Sequence, residues 1–523
     1  MTITTAKLTR AIALAYARPL ALPLALAALL LAPAARADWT FKPTLDLRET
    51  YTDNVALQDE AHAKGQFVSE FTPGFVLKHK GPRLMLNARY QLQYFALQDH
   101  DVSGTNRTAR ALHAEAKGEL IDDFLYFDAR ANRAQQNISP FGQVIADNNF
   151  SSANRTEVQS WRVSPYLKHR FDSLATLEVR YARDAVDAGH VGLGNSDGHT
   201  TSVKLNSGTA FRKLSWDMQL SGQTIHDSIA NDSLIKTFDA KLRYKIVPTV
   251  TLTTGVGYDH YDYTALGGNT TSGTAWHVGA SWNPSRRSSL TAVLGHRYYG
   301  PSRALKALHR SRHTAWNLNY DDAVVTTRAN FLLPSTIDTA ALLDDLFTPS
   351  IPDPAERQRA VEAYMLAAHL PPSLADNINY FSNRYSLQKQ LRASVAFREG
   401  RTSTIFSVYR VRRNALSVRE IDSPLLGNNV DTIQDNTLQT GFSAQWNYRI
   451  NGRTSLNLVS DMFENESLSA GLKTHSSAVR FGARHQLRAK VSAGLELRRI
   501  EGAVLGGRIY TENAVAASLS MQL

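Results

Sequence analysis

Side chains that alternate between apolar and polar, one residue at a time, recur through most of this 523-residue chain and favour β-structure. The clearest case is the stretch 234–263. Every second residue from Phe238 to Ile246 is apolar, and the residues between them are Asp239, Lys241, Arg243 and Lys245. Residues 247–249 break the pattern, and a second alternation begins at Val250. A period of two is that of a strand with one apolar and one polar face, so this stretch predicts a hairpin with a tight turn.

The same alternation recurs in the stretches 84–94, 112–120, 125–130, 177–181 and 438–448, and it continues to the last residue, Leu523. Counting the alternating segments predicts about 22 strands, within a range of roughly 18–22. Short turns alternate with longer loops rich in Asn, Asp, Gly and Ser, which is the pattern of membrane barrels. We therefore predict an all-β fold: a transmembrane, antiparallel up-and-down β-barrel with a small helical insert.

The composition argues against a helical membrane protein but allows a membrane β-barrel. The mean hydropathy is −0.29, and residues 38–523 contain no apolar run of about 20 residues, so a helical membrane protein is not expected. A barrel remains compatible, because only half of each of its strands is apolar. The chain has no cysteine, which excludes disulfides, thiolate metal sites and cysteine nucleophiles.

Residues 1–37 are predicted to be a cleaved signal peptide. Lys7 and Arg10 provide the positive start, residues 20–31 the apolar core, and Ala35-Arg36-Ala37 the small-residue cleavage site. The alternative is an N-terminal anchor helix, but Pro23 breaks an already short apolar core. The mature chain is thus expected to leave the cytoplasm for a bacterial outer membrane.

Residues 328–379 interrupt the alternation and are predicted to be a helical insert between the first part (38–327) and the last part (380–523) of the barrel. One helix is expected from Thr336 or Asp338 to Phe347, and a second begins at the cap-like Asp353-Pro354. An insert of this length is expected to plug the lumen, cap it or bind a partner, or else only to stabilise the rim. If the chain starts in the periplasm, strand parity places it on the extracellular side. The insert residues predicted to act in this way are Asp353, Pro354, Glu356, Arg357, Val361 and Tyr364.

A barrel of this size encloses an aqueous lumen, so the polar face of each strand is expected to point inward. An excess of basic residues on that face suits an anionic polymer, although a solvated wall would also account for it. The predicted lumen-lining residues are Arg89, Arg130, Arg180, Lys241, Arg243, Lys245, Arg480, Arg484 and Arg498.

No catalytic, metal or cofactor site is predicted. His309 and His313 are four residues apart, but Arg310 stands where a zinc protease would need glutamate. A lipid hydrolase would need a serine and a histidine on one face, and nothing in the sequence brings Ser221 and His260 together. There is no phosphate-binding glycine loop, and no nucleic-acid-binding motif accompanies the net charge of +11.

Four blocks resemble the PEP-CTERM system-associated outer-membrane protein family, and the resemblance spans nearly the whole mature chain. They are ETYTDNV at 49–55, SPYLKHRF at 164–171, RYYGP at 297–301 and IPDPAER at 351–357. Members of that family are implied to be outer-membrane β-barrels encoded with exopolysaccharide and protein-sorting genes. The family supplies no catalytic residues.

Three functions follow as hypotheses. The first is export of an exopolysaccharide through the polar lumen, with outer-membrane lipid, an anionic polymer and a periplasmic export protein as partners. The second is a structural or matrix-binding barrel without transport. The third, a lipid-modifying barrel enzyme, has the least support because no catalytic constellation is visible.

Overall fold

The computed structural model describes residues 38–522 except 100, 101, 103, 144–149, 152–153, 189–194, 229–231, 264, 266–269, 333–342, 345–356, 358–360, 362–383, 418–435 and 505–506. The predicted signal peptide therefore lies outside the described residues.

The described chain forms 22 strands and one short helix, α1 (Thr327–Leu332). The first eleven strands are β1 (Asp38–Thr52), β2 (Gln66–Lys80), β3 (Leu84–Leu97), β4 (Thr108–Ile121), β5 (Leu125–Asn137), β6 (Arg155–Phe171), β7 (Ala175–Asp187), β8 (Ser196–Ser207), β9 (Leu214–Asp227), β10 (Ser233–Val247) and β11 (Val250–Tyr261). The rest are β12 (Ser272–Ser285), β13 (Ser288–Arg297), β14 (Gly300–Arg310), β15 (Thr314–Val325), β16 (Ser386–Glu399), β17 (Thr402–Ala415), β18 (Asn436–Arg449), β19 (Thr454–Ser467), β20 (Lys473–Arg488), β21 (Val491–Ala503) and β22 (Ile509–Gln522).

Each strand pairs antiparallel with its neighbours in the chain, and the first strand pairs with the last. The β1–β22 register runs from Thr44 opposite Gln522 to Thr52 opposite Ala514. The sheet is therefore a closed 22-stranded antiparallel up-and-down barrel, as the alternation predicted. Closure leaves no sheet edge, which a strand surrounded by lipid requires.

The outer face of the wall is apolar. Phe41, Leu294 and Leu495 keep 61%, 58% and 62% of their surface exposed, which a protein surrounded by water rarely allows across a whole surface. Exposed aromatic rings lie near both ends of the strands; examples are Trp282, Trp316 and Phe397 near one end and Tyr51, Tyr94 and Tyr258 near the other. An apolar band between two aromatic girdles is the outer surface of a transmembrane barrel.

The two ends of the barrel differ. At the end that also holds Asp38 and Gln522, the connections are short, from two residues at 248–249 to six at 208–213. We call this the turn end. The opposite end, the loop end, carries the longer connections, such as 53–65, 138–154 and 416–435. The two-residue connection 298–299 is an exception at the loop end, where the positive φ of Gly300 permits a tight turn.

The predicted insert follows β15 and lies at the loop end. The connection there runs from residue 326 to residue 385, so it is slightly longer at both ends than the predicted 328–379. Helix α1, which the sequence did not predict, begins at Thr327, where the Thr326 hydroxyl accepts a hydrogen bond from the Ala329 amide as an N-cap. No helix in the described part of the chain is long and apolar enough to cross a membrane.

Some inward positions are glycine because a facing ring occupies the space above them. Gly441 in β18 pairs with Tyr409 in β17, and a Cβ added at Gly441 would overlap the Tyr409 ring. An aromatic ring over a cross-strand glycine covers exposed backbone and helps to hold the register.

We expect Gly441→Ala to destabilise the barrel by about 1–3 kcal/mol, because the new methyl group must displace the ring. The measurement is the urea midpoint of unfolding in lipid vesicles. Gly452→Ala is the control, since Gly452 has no atom within 4 Å of an added Cβ. Equal midpoints for the two variants would show that the Tyr409 ring moves away freely.

Candidate functional site

The pairing registers place all nine predicted lumen-lining cations on the inner face of the wall. In β10, Lys241 and Arg243 alternate with Leu242 and Tyr244, whose side chains are exposed on the apolar outer face. Residues that face each other on neighbouring strands lie on the same side of the sheet, so the registers extend this assignment around the wall. The other seven cations also lie on the inner face: Arg89, Arg130, Arg180, Lys245, Arg480, Arg484 and Arg498. That they act on a cargo stays a prediction.

Most of these cations are paired with carboxylates of the wall itself. Arg180 contacts Asp128 at 2.7 Å and Glu178 at 3.0 Å, and its guanidinium lies 3.8 Å from the centre of the Tyr166 ring. The other ion pairs of this set join Arg130 to Glu115, Lys241 to Asp239, Arg243 to Asp217, Arg480 to Asp461 and Arg498 to Glu512. The wall as a whole is therefore less cationic than the nine residues alone suggest.

The most buried of these pairs lies close to the seam where the barrel closes. Arg498 and Glu512 are 2.9 Å apart, with side-chain exposures of 1% and 0%. Thr52 of β1 donates a hydrogen bond of 2.8 Å to the same carboxylate, and Arg48 of β1 contacts Glu496 of β21 at 2.6 Å. Polar contacts thus link the first strand to the last two, in addition to the backbone ladder.

A cavity of about 990 Å³ occupies the turn-end half of the lumen. Its walls are the inner faces of β1–β4 and β16–β22 together with the turns at 400–401, 451–453 and 489–490. We call it the turn-end vestibule.

Basic side chains dominate the lining of the vestibule. They are Arg48, Arg89, Arg398, Arg401, Arg449, Arg453, Arg484 and Lys490, against only Asp46, Glu70 and Glu496 among the carboxylates. Glu496 is already paired with Arg48, so the remaining charge at the mouth is strongly positive. The sequence predicted Arg89 and Arg484 as lumen-lining residues but not Arg48 or the basic residues at 398, 401, 449, 453 and 490. The last five could have been found from the sequence, since each lies in or beside a predicted turn.

Above the vestibule, described parts of the loops fold into the lumen and pack against its wall. In the β1–β2 loop, Val55 and Ala56 are buried against Val68, Phe95 and other inward residues of β2–β4. The next residue, Leu57, packs against Ile500 and Tyr510 on the inner face of β21 and β22. Leu57 has a φ of +53°, a strained backbone conformation for leucine that its close packing maintains.

The β5–β6 loop contributes to the same closure. Phe150 joins the cluster around Val55, and its ring lies 6.2 Å from that of Phe95. Pro140 accepts a hydrogen bond from the side chain of Asn465 in β19, and the neighbouring Phe141 is 1% exposed. This loop therefore spans the lumen between distant parts of the wall.

Helix α1 reaches a distant part of the wall as well. It follows β15, yet Arg328 forms an ion pair with the fully buried Asp184 of β7 and donates a hydrogen bond of 2.8 Å to Ser196 of β8. Phe331 and Leu332 pack against Val158, Val186 and Ala188. Since β8–β14 lie between β15 and β7 in the wall, the start of the insert lies inside the barrel. We call these infolded loops and α1 the loop-end closure.

Five tyrosines hold the other end of the insert. Tyr385, directly before β16, stacks on Tyr263 with ring centres 4.6 Å apart and donates a hydrogen bond of 2.8 Å to Ser233. Tyr261 and Tyr298 extend the cluster, and Tyr299 packs against Tyr298. Burial raises the pKa of Tyr263 and Tyr298, so both phenols stay neutral and remain hydrogen-bond donors.

Most of the residues singled out in the insert, namely Asp353, Pro354, Glu356 and Tyr364, lie outside the described residues. Of the other two, Arg357 contacts Asp344 at 2.8 Å and Val361 is buried. The second predicted helix is described only at these two positions, both of which have helical backbone.

No catalytic arrangement involves the two residues considered from the sequence. Ser221 lies on the inner face of β9 and His260 on the outer face of β11, so the wall separates their side chains. Within the described part of the chain, no group of three metal-ligating residues comes together.

No protein-family model matches this sequence, and no curated protein matches it. Among solved structures, the siderophore receptor PirA from Pseudomonas aeruginosa is 9% identical, with a TM-score of 0.47 over 94% of this chain and 82% of the receptor. The FrpB iron transporter from Neisseria meningitidis (F5-1 variant) is 9% identical, with a TM-score of 0.48 over 93% of this chain and 83% of the transporter. These values are too low to transfer any property from those proteins.

The class of protein is set by the barrel itself. A closed antiparallel barrel with an apolar outer band, aromatic girdles, short turns at one end and long loops at the other is an outer-membrane-type transmembrane β-barrel.

We expect Glu512→Ala to lower the free energy of unfolding by about 3–5 kcal/mol, because it removes the nearer carboxylate of the buried Arg498 guanidinium and leaves only Glu496, at 3.7 Å. The measurement is again the urea midpoint in vesicles. Glu464→Ala is the control: its ion pair with Lys473 is half-exposed, so a change below about 1 kcal/mol is expected. Similar losses for both variants would contradict a special role for the seam pair.

Proposed function

We propose that this protein is an outer-membrane transport barrel that passes an anionic exopolysaccharide through its lumen. The turn-end vestibule carries this proposal. In outer-membrane barrels the short turns face the periplasm, so the basic mouth would meet a polymer that arrives from the cell. A cleft lined by charge of one sign raises the local concentration of ligands of the opposite sign.

The basic residues of the vestibule suit a polymer with repeated carboxylates or other acidic groups. Arg449 and Arg453 lie at the end of β18 and in the turn after it, and Lys490 lies in the turn between β20 and β21. Guanidinium groups bind carboxylates with two parallel hydrogen bonds, which would let successive acidic sugars exchange between neighbouring arginines. The resemblance to barrels encoded with exopolysaccharide genes supports the same cargo.

The loop-end closure would then act as the gate of the channel. Passage requires α1 and the infolded loops to move away from the inner wall, and a periplasmic export protein that pushes polymer into the vestibule would supply the drive. The contacts that must break include the Arg328–Asp184 pair and the packing of Phe331 on Val158 and Val186.

The second candidate is a structural or matrix-binding barrel without transport. The apolar clusters and buried ion pair of the closure favour it, because they resemble a packed core more than a loosely held lid. A barrel that never opens would account for this packing as well as a gated channel does.

We expect deletion of residues 328–379, replaced by a short Gly-Ser linker, to raise conductance in planar bilayers by at least severalfold, because it removes nearly all of α1 from the lumen. Arg357→Gln, which leaves α1 in place, should conduct as the unaltered chain does. If the deleted chain still folds but stays silent, transport is contradicted and the structural barrel is supported.

In the deletion background, we expect the turn-end vestibule to make the pore anion-selective. Arg449→Gln, Arg453→Gln and Lys490→Gln together should move the reversal potential in a salt gradient towards zero. Dextran sulfate added on the turn-end side should block the current of the deletion chain at concentrations about tenfold lower than in this triple variant, and neutral dextran of the same mass should not block.

The matched control removes three basic residues from the outer wall: Lys389→Gln, Arg410→Gln and Arg412→Gln. It should keep the selectivity and the block by dextran sulfate. An open pore that prefers cations, or one blocked equally by neutral dextran, would contradict an anionic cargo.

A further inference from the structure

Basic side chains form a row on the outer face of β14–β17. The registers place Asp322 opposite Lys389, and Lys389 opposite Arg412. The β14–β15 register pairs Ala304 with Asp321, so one residue further along Arg303 lies opposite Asp322. Arg410 lies two residues from Arg412 on the same face of β17. We call Arg303, Lys389, Arg410 and Arg412 the outer basic row.

The row marks the loop-end limit of the apolar band. The next outward residues towards the turn end are Tyr320, Leu391 and Val408, and the outer face stays apolar as far as Trp316, Phe397 and Phe406. From Phe397 to Lys389 the strand covers roughly 26 Å, or about 20 Å along the membrane normal at the usual strand tilt. The charges therefore lie at the level where lipid headgroups replace acyl chains.

Within the part of the chain that the structure describes, carboxylates do not balance the positive charge of the row. Asp322 is the only carboxylate in the row, and it accepts a hydrogen bond of 3.2 Å from the backbone amide of Arg303. Among the described residues, none of the four basic side chains forms an ion pair with a carboxylate. Arg303, Arg410 and Arg412 are exposed, and the Arg412 Nε donates to Asn414 at 3.2 Å.

Several other outward cations near the loop end have acidic partners on the same face. Lys473 contacts Glu464 at 3.3 Å and Glu466 at 3.5 Å, and Arg499 contacts Glu501 at 3.6 Å. Arg133 pairs with Glu157. The β14–β17 sector thus differs from these sectors in presenting several cations with one carboxylate between them.

We propose that the outer basic row binds the phosphate groups of lipids in the membrane leaflet around the loop end. Arginine recognises phosphate through paired N–H donors, and lysine adds a compact charge. A headgroup held there would lay its acyl chains along the column below it, where Leu391 and Val408 lie exposed. A phosphorylated lipid would contact both the outer basic row and the exposed apolar residues next to it, whereas a soluble anion would contact only the basic row.

This site lies outside the lumen and does not depend on any transport function. It would orient the barrel in the leaflet and hold a shell of phosphorylated lipid next to the strands that flank the insert.

The test is lipid retention. The full mature chain is reconstituted in phosphatidylcholine nanodiscs that contain a small fraction of diphosphorylated lipid A, and retained lipid is counted by native mass spectrometry after extraction. We expect Lys389→Gln, Arg410→Gln and Arg412→Gln together to weaken retention by about a hundredfold, since each basic residue at a membrane surface contributes about fivefold. The vestibule triple variant (Arg449→Gln, Arg453→Gln and Lys490→Gln) carries the same charge change inside the lumen and should retain lipid A like the unaltered chain.

Two further arms identify the ligand. Dephosphorylated lipid A should be retained no better by the unaltered chain than by the outer triple variant, and inorganic phosphate at the same concentration should not displace diphosphorylated lipid A. The proposal is overturned if the outer triple variant retains diphosphorylated lipid A normally, if removal of the phosphates has no effect, or if inorganic phosphate competes. Heat-shifted migration in gels confirms that each variant is folded, so a loss of retention cannot come from misfolding.

Discussion

The hydrogen-bonded seam between β1 and β22 is the constraint on which the rest of the molecule depends. Inside a membrane every backbone N–H and C=O needs a partner within the protein, and only closure of the sheet provides one for both edges. Nine register pairs join residues 44–52 to residues 514–522, and side-chain contacts to Glu496 and Glu512 reinforce the seam. Once the sheet is closed, each strand must have one face towards lipid and one towards the lumen.

Closure of the sheet also determines which basic side chains lie next to carboxylates and which do not. Along the middle of the wall, cations such as Arg130 and Arg180 are neutralised by carboxylates on the same strand or on nearby strands. Among the described residues, unbalanced positive charge is instead found in the turn-end vestibule and in the outer basic row. The first faces water inside the barrel and the second faces the lipid boundary, so the same kind of side chain serves two different surroundings.

Several features could be predicted from the sequence because they depend on local pattern. A period of two places Lys241 and Leu242 on opposite faces whatever the rest of the chain does, and the strand count and the short turns follow from where the pattern stops. The loop-end closure could not be predicted in this way. Val55, Leu57 and Phe150 lie in loops with no periodicity, and their burial depends on which inward side chains face them across the lumen. Helix α1 is too short to show a helical pattern, and it is held by residues far away in the sequence.

The sequence by itself determined the class of fold and the face on which each strand residue lies, because alternation is a property of neighbouring residues. Only the tertiary structure decided which charges neutralise one another and which remain unbalanced. Arg48 and Glu496 are 448 positions apart, and their contact exists because the last strands return to the first. The same is true of the basic vestibule, whose residues come from both ends of the chain and converge only when the barrel closes.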